Sequence, residues 1–272
     1  MSIATPKAVS FRPPLDLEDV RVLPGDDHEV RVEPTAKRVR AFLGETAIAD
    51  STRVQVVSES GRLPVYYFPV DDVRMDLMVP GERTATSPHR GTATYLTIDA
   101  GQRRAADAAW RYLDAPAGVP DLTGLVAFHW RAMDAWYEED EEVFTHARDP
   151  HHRIDVLRSS RHVEVLLGGA VVASTRNSRM LFETSLPVRY YLPPGDVRLD
   201  LLQPSERVSA CAYKGQTSRY WSAGDPRRDV AWSYEHPSDE VAKIAGLISF
   251  FNERVEVRID GVVQPRLDTP WS

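Results

Sequence analysis

The sequence lacks several features that would place it in a familiar class of proteins. It has a single cysteine, Cys211, so neither an intrachain disulfide nor a zinc cluster of thiolates can form. No apolar run is long enough to span a bilayer, and the formal net charge of −7 over 272 residues gives no general basic surface. The N-terminus also lacks the apolar core of a signal peptide. We therefore expect no nucleic-acid partner, no membrane association and a cytoplasmic location.

Common catalytic signatures are missing as well. The chain has no Walker loop, no Gly-x-Gly-x-x-Gly fingerprint and no Gly-x-Ser-x-Gly elbow. His151 and His152 are adjacent, so on a strand they would point to opposite faces and would not bind one ion together. We expect no metal site and no cofactor.

What the sequence does contain is a long internal repeat. Residues 66–69, Tyr-Tyr-Phe-Pro, return at 190–193 as Tyr-Tyr-Leu-Pro. Residues 72–77, Asp-Val-Arg-Met-Asp-Leu, return at 196–201 as Asp-Val-Arg-Leu-Asp-Leu. The offset is constant, since 190 − 66 and 200 − 76 both equal 124. A fixed period of this length indicates a duplicated domain rather than a solenoid of short repeats.

Within each copy, short segments alternate between apolar and polar residues and are bounded by glycine or proline, which is typical of strands. The fold class is therefore predicted to be mainly β, twice. We expect an irregular leader at residues 1–20, a first β domain at 21–143, a second at 144–264 and a tail at 265–272.

Two local predictions follow from the same patterns. Arg74 and Asp76 alternate strictly with apolar neighbours, as do Arg198 and Asp200, which predicts a strand in each copy. Each copy is also expected to have one short helix near its end. The clearest start is Ser238, which is followed by two acidic residues.

Several motifs in the same order resemble one known family. They are the two repeated strings, the loop Cys211-Ala212-Tyr213-Lys214-Gly215 and the closing segment at residues 246–250. Together they are similar to the tandem form of domain-of-unknown-function family number 427, also catalogued as nucleotidyltransferase-like without a demonstrated reaction. The resemblance implies a compact antiparallel β domain of the tent-like type, with two sheets meeting over a cleft. We also expect the two copies to pack against each other.

The second copy is chemically better equipped than the first. Cys211 and Lys214 are the candidates for a catalytic role, and Ser87 and Arg90 stand at their positions in the first copy. Because the thiol is not repeated, a reaction that used it would leave the first copy structural. The alternative is that Cys211 is a small buried apolar residue.

Our leading functional hypothesis is a protein that binds a small molecule in an aromatic cleft of the second copy. The alternatives are a group-transfer enzyme, nucleotidyltransferase-like or dependent on cysteine or lysine, and a scaffold with vestigial clefts. For single residues, the alternatives are core packing of the rings and structural Arg–Asp salt bridges. The predicted ligand-binding residues are Tyr191, Arg198, Asp200, Tyr213, Lys214, Tyr220, Trp221 and Trp232, with weaker first-copy equivalents Tyr67, Arg74, Asp76, His89, Arg90, Tyr95 and Trp110.

Overall fold

The computed structural model of the protein describes residues 28–266 and residue 269, with only the backbone described at residues 225–227. The predicted leader and part of the predicted tail lie outside the described residues. The chain divides into two compact units between Asp149 and Pro150. Each unit consists mainly of antiparallel strands, which confirms the predicted fold class and the tandem arrangement.

The first domain has two sheets. The strands are β1 (Val30–Pro34), β2 (Val39–Leu43), β3 (Thr46–Ser51), β4 (Gln55–Glu59), β5 (Val65–Pro69), β6 (Met78–Ser87), β7 (Gly91–Asp99), β8 (Arg104–Tyr112), β9 (Leu125–Phe128), β10 (Ala135–Glu138) and β11 (Glu141–Glu142). The large sheet has the strand order β1-β4-β5-β9-β8-β7-β6, and the small sheet has the order β11-β10-β2-β3, with all pairs antiparallel.

The second domain repeats this topology. Its strands are β12 (Ile154–Ser159), β13 (Val163–Leu167), β14 (Ala170–Thr175), β15 (Ser178–Glu183), β16 (Arg189–Leu192), β17 (Gln203–Ser205), β18 (Ala210–Cys211), β19 (Gly215–Gln216), β20 (Arg219–Ala223), β21 (Asp225–Ser233), β22 (Ile248–Phe250), β23 (Glu256–Ile259) and β24 (Val262–Val263). The large sheet has the order β12-β15-β16-β22-β21-β20-β17, the small sheet has the order β14-β13-β23-β24, and β18 and β19 form a short hairpin.

Each large sheet buries both of its faces, and the Tyr-Tyr pair shows how. Successive residues of a strand point to opposite faces, so Tyr66 joins the core between the two sheets while Tyr67 joins a second cluster on the other face. We call that other face, turned away from the small sheet, the outer face. In the second domain, Tyr190 packs against the core between the sheets and Tyr191 lies in the outer-face cluster.

The segment that connects the two domains packs with the first domain beyond the boundary that the repeat predicts. Ala147 is buried in the core of the first domain, and the backbone N–H of Arg148 donates to the hydroxyl of Tyr66. Residues 144–149, which the repeat assigns to the second domain, therefore pack with the first.

The predicted strands around Arg74 and Arg198 are wrong, because both segments are 3₁₀ turns. Residues Met75–Leu77 and Leu199–Leu201 form single turns in which the N–H of the last residue donates to the carbonyl of the arginine. In the described residues each domain has three 3₁₀ segments where one short helix was predicted. The segment Asp239–Ile244 begins directly after Ser238, as predicted, and the others are Val70–Asp72, Trp130–Ala132 and Pro194–Asp196.

The indole rings of Trp130 and Trp136 stack in the first domain with centroids 4.4 Å apart and an interplanar angle of 8°. No helix in the described part of the chain is long and apolar enough to cross a bilayer.

Candidate functional site

The outer face of each large sheet carries a buried glutamate. In the first domain, Glu59 ends β4 two residues after Val57, so strand alternation places both on the outer face. In the second domain, Glu183 ends β15 two residues after Leu181, in the matching position. A carboxylate in such a place must be paired or strongly hydrogen bonded to remain charged.

In the second domain, Glu183 is held by one cation and one imidazole. Lys214 Nζ donates to Glu183 Oε2, and His152 Nε2 lies 3.1 Å from Glu183 Oε1. The ring of Tyr213 stacks on that of His152 with centroids 3.9 Å apart. The side chains of Glu183 and Lys214 are 4% and 12% exposed, so the ion pair is close to the surface but largely shielded from water.

In the first domain, the corresponding carboxylate has more partners. Glu59 Oε2 lies 3.1 Å from Arg90 Nη2 and 3.1 Å from Arg62 Nε, and Oε1 lies 3.1 Å from His28 Nε2. His89 stacks on His28 with centroids 3.8 Å apart. We refer to these matched groups around Glu59 and Glu183 as the glutamate clusters.

A tight turn places the cation in both clusters. Ser87 pairs with Gly91 and Cys211 pairs with Gly215 across the turn, with φ of +87° and +84° at the two glycines. A side chain at Gly91 would be strained at that φ, and its Cβ would lie 2.9 Å from Pro116 Cδ. The glycines therefore fix the turn on which Arg90 and Lys214 stand.

The charges of the second cluster are coupled. Burial alone would lower the pKa of Lys214, but Cys211, Glu183 and Tyr191 outweigh it and raise that pKa above its usual range. Burial would likewise raise the pKa of Glu183, and Lys214 and His152 outweigh it, so the pKa of that carboxyl is lowered. Lys214 is thus a permanent cation and Glu183 a permanent anion at neutral pH.

Next to each cluster lies a tryptophan–tyrosine hydrogen bond. Trp110 Nε1 donates to the hydroxyl of Tyr67 at 3.0 Å, and Trp232 Nε1 donates to that of Tyr191 at 3.2 Å. Tyr67 and Tyr191 are 0% exposed. Burial raises the pKa of Tyr191 to about 12, with the charge of Lys214 opposing it.

The structure brings some predicted site residues together and separates others. Tyr191, Tyr220 and Trp232 share the outer-face cluster, whereas Trp221 lies in the core between the sheets, because it follows Tyr220 on β20 and points the other way. The predicted walls of the cleft are buried rings, so they offer little surface to a ligand. Tyr95 and Trp110 of the first domain are buried in the same manner.

The predicted arginine–aspartate pairs lie outside the clusters, on exposed turns. Arg198 Nε and Nη2 donate to the two oxygens of Asp200 at 2.8 and 2.7 Å, and Arg74 pairs with Asp76 at 2.8 and 2.6 Å. Arg198 and Asp200 are 60% and 62% exposed. Each pair satisfies itself within one turn, so the guanidinium is not held towards Lys214 or Arg90.

The residue at the centre of each cluster is not among the predicted site residues. Glu59 and Glu183 repeat at the offset of 124, as do His28 with His152 and Arg90 with Lys214. The sequence did contain an indication of these glutamates. Each lies an even number of positions from a buried residue of its strand, and a glutamate stands there in both copies. Arg62 has no such signal, because Leu186 stands at its position in the second copy.

The fold and clusters define a class of protein: a tandem duplication of a two-sheet antiparallel β domain, with a paired buried glutamate on the outer face of each copy. The chain belongs to the family described as Domain of unknown function (DUF427), whose model matches residues 31–139 and again residues 155–261. No curated protein matches the chain.

Proposed function

We propose that the second domain binds a small polar ligand at its glutamate cluster. The observation that carries this is the ammonium of Lys214, which has three N–H donors. Glu183 accepts one of them, and no other described residue accepts a second. Lys214 is therefore a fixed cation with unused N–H donors, and it lies beside the partly exposed Cys211. Such a group suits an acceptor oxygen of a carboxylate, phosphate or carbonyl group.

The contrast with the first domain supports the choice of the second. There, Glu59 is held by two arginines, of which Arg62 approaches from the position that Leu186 occupies in the second domain. A guanidinium at this position adds a second cation and crowds the carboxylate. The second cluster has one ammonium instead, and Leu186 adds no charge.

The electrostatics disfavour one version of the group-transfer alternative. An amine nucleophile must lose its proton, and enzymes achieve this by lowering the lysine pKa through burial or a neighbouring cation. The pKa of Lys214 is shifted the opposite way, because its neighbours are anionic or acidic groups. Lys214 therefore suits electrostatic recognition of a ligand better than covalent catalysis.

Thermal-shift titration with inorganic phosphate and adenosine monophosphate, neither of which is a short carboxylate, tests the proposal. Three variants accompany the wild type: Lys214→Met, Leu186→Arg and, as the matched control in the first domain, Arg90→Met. We expect at least one probe to raise the melting temperature of the wild type and of Arg90→Met. The rise should disappear in Lys214→Met and shrink in Leu186→Arg, where a guanidinium competes for the site.

Two outcomes contradict the proposal. The first is that no probe stabilises the wild type, which would favour the scaffold alternative. The second is that Arg90→Met removes the effect as completely as Lys214→Met. Alkylation of Cys211 by iodoacetamide provides an independent readout, since a ligand bound at Lys214 should slow labelling of the wild type but not of Lys214→Met.

A further inference from the structure

A cavity of about 130 Å³ lies in the first domain, beside the end of β8. Val70 and Leu125 contribute apolar lining, and Arg111 and Thr123 line the cavity as well. The outer-face residues of β8, Trp110 and Tyr112, point towards the Glu59 cluster, and alternation turns Arg111 away from it. Tyr112 also lines the cavity, but no member of the glutamate clusters does, so the cavity is a separate feature.

The guanidinium of Arg111 has no partner among the described residues. Its Nε is shielded from solvent without an acceptor, and no other described side chain or carbonyl forms an ion pair or hydrogen bond with it. Polar groups that are buried in native proteins are almost always paired, so an unsatisfied N–H on an arginine that lines a cavity calls for an acceptor. Arginine presents a planar fork of donors that matches the two oxygens of a carboxylate.

The fold itself does not need this arginine. Trp110 corresponds to Trp232 through their shared hydrogen bond to tyrosine, so Arg111 corresponds to Ser233 in the second domain. The same strand in the same topology is thus built with a small neutral residue. An unpaired cation that one copy has and the other lacks points to a role for the first copy alone.

We propose that this cavity binds a small aliphatic carboxylate. Arg111 would hold the carboxylate group, and Val70 and Leu125 would contact a short alkyl chain. The volume equals on the order of four water molecules, which is the scale of acetate or propionate. This inference concerns the first domain and does not depend on the function proposed for the second.

The full-length chain provides the test, with sodium propionate as the probe and isothermal titration calorimetry as the measurement. The variant Arg111→Ser introduces the residue of the second domain, and Arg111→Lys keeps the charge without the fork. We expect propionate to bind the wild type, to bind Arg111→Lys more weakly, and to lose affinity by roughly tenfold or more in Arg111→Ser. Without ligand, the melting temperature should be unchanged, since Arg111 has no partner to lose.

A second variant tests the cavity rather than the charge. Val70→Phe fills the apolar side while keeping Arg111, and it should also abolish propionate binding. Lys214→Met should leave propionate affinity at this site unchanged, which separates this inference from the proposed function. Three results would overturn it: no propionate binding by the wild type, equal binding by Arg111→Ser, or inorganic phosphate binding at Arg111 as tightly as propionate.

Discussion

The two domains hold the same buried carboxylate in two different ways. Glu59 is paired with two arginines and a histidine, whereas Glu183 is paired with one lysine and a histidine. The strands, the turn and the stacked ring are common to both, so the fold fixes the anion and allows its counterions to change. Since removing one partner of a buried ion pair leaves an uncompensated charge, this difference has measurable consequences for stability.

The largest effect should come from removing the carboxylate itself. We expect Glu183→Ala to lower the free energy of unfolding by roughly 3–5 kcal/mol, because a buried ammonium is left without its partner. Glu59→Ala should lower the free energy of unfolding by more, since two guanidinium groups lose their anionic partner. Urea unfolding of both variants measures the two costs, and an equal or smaller loss in Glu59→Ala would contradict the comparison.

Removing a buried tyrosine hydroxyl should lower the free energy of unfolding by less than removing a glutamate does. The loss should again be larger in the first domain than in the second. Tyr191→Phe leaves the indole N–H of Trp232 without its acceptor, which costs roughly 1–3 kcal/mol. Tyr67→Phe should lie at the upper end of that range, because the Tyr67 hydroxyl also interacts with Arg90 and Tyr112. Urea unfolding measures both losses. A clearly smaller loss in Tyr67→Phe than in Tyr191→Phe would contradict the view that the first cluster has more interactions.

The stabilisation that the charged Glu183 carboxylate provides should be lost as the pH falls. Its pKa is lowered by Lys214 and His152 against the opposing effect of burial, so the charged form is favoured in the folded state. The stabilisation is present above the ordinary glutamate value of 4.5 and is lost as the pH falls through the lowered folded value. Comparing wild type with Glu183→Gln across this range should show the two curves converging at low pH, and parallel curves would contradict it.

The smallest effect is expected where the two domains are alike and exposed. Arg74→Ala and Arg198→Ala each remove one half of an ion pair that lies in solvent on a 3₁₀ turn. Exposed pairs contribute little to stability because water and salt screen them. Neither variant should shift the melting temperature measurably, and a large shift in one domain alone would show that its turn has an unrecognised partner.

The repeat made the architecture predictable, since an offset of 124 implies two copies of one fold. Alternation does place Tyr66 and Tyr67 on opposite faces of β5, but both faces are buried, so neither ring faces solvent. The same rule failed at Arg74, where the alternating pattern belongs to a 3₁₀ turn. The reason is local: Asp76 satisfies Arg74 within the turn, and the N–H of Leu77 bonds back to the Arg74 carbonyl.

The candidate site was predictable only in part. Lys214 and Tyr213 stood out because their loop is distinctive, and both belong to the cluster. Glu183 did not stand out, because a glutamate at the end of a strand is usually solvated and only the tertiary fold brings Lys214 onto it. Arg111 was also missed, since neither a missing partner nor a cavity can be inferred from a single arginine on a strand.

The stacked indoles of Trp130 and Trp136 give the chain an internal optical label. Two rings stacked at 4.4 Å are close enough for their electronic transitions to couple, so we expect a circular dichroism couplet that exists only while they remain stacked. Both rings belong to the first domain, and the described tryptophans of the second, Trp221 and Trp232, lie on opposite faces of their sheet. The couplet therefore tracks the first domain separately from the second, without cutting the chain or attaching a dye.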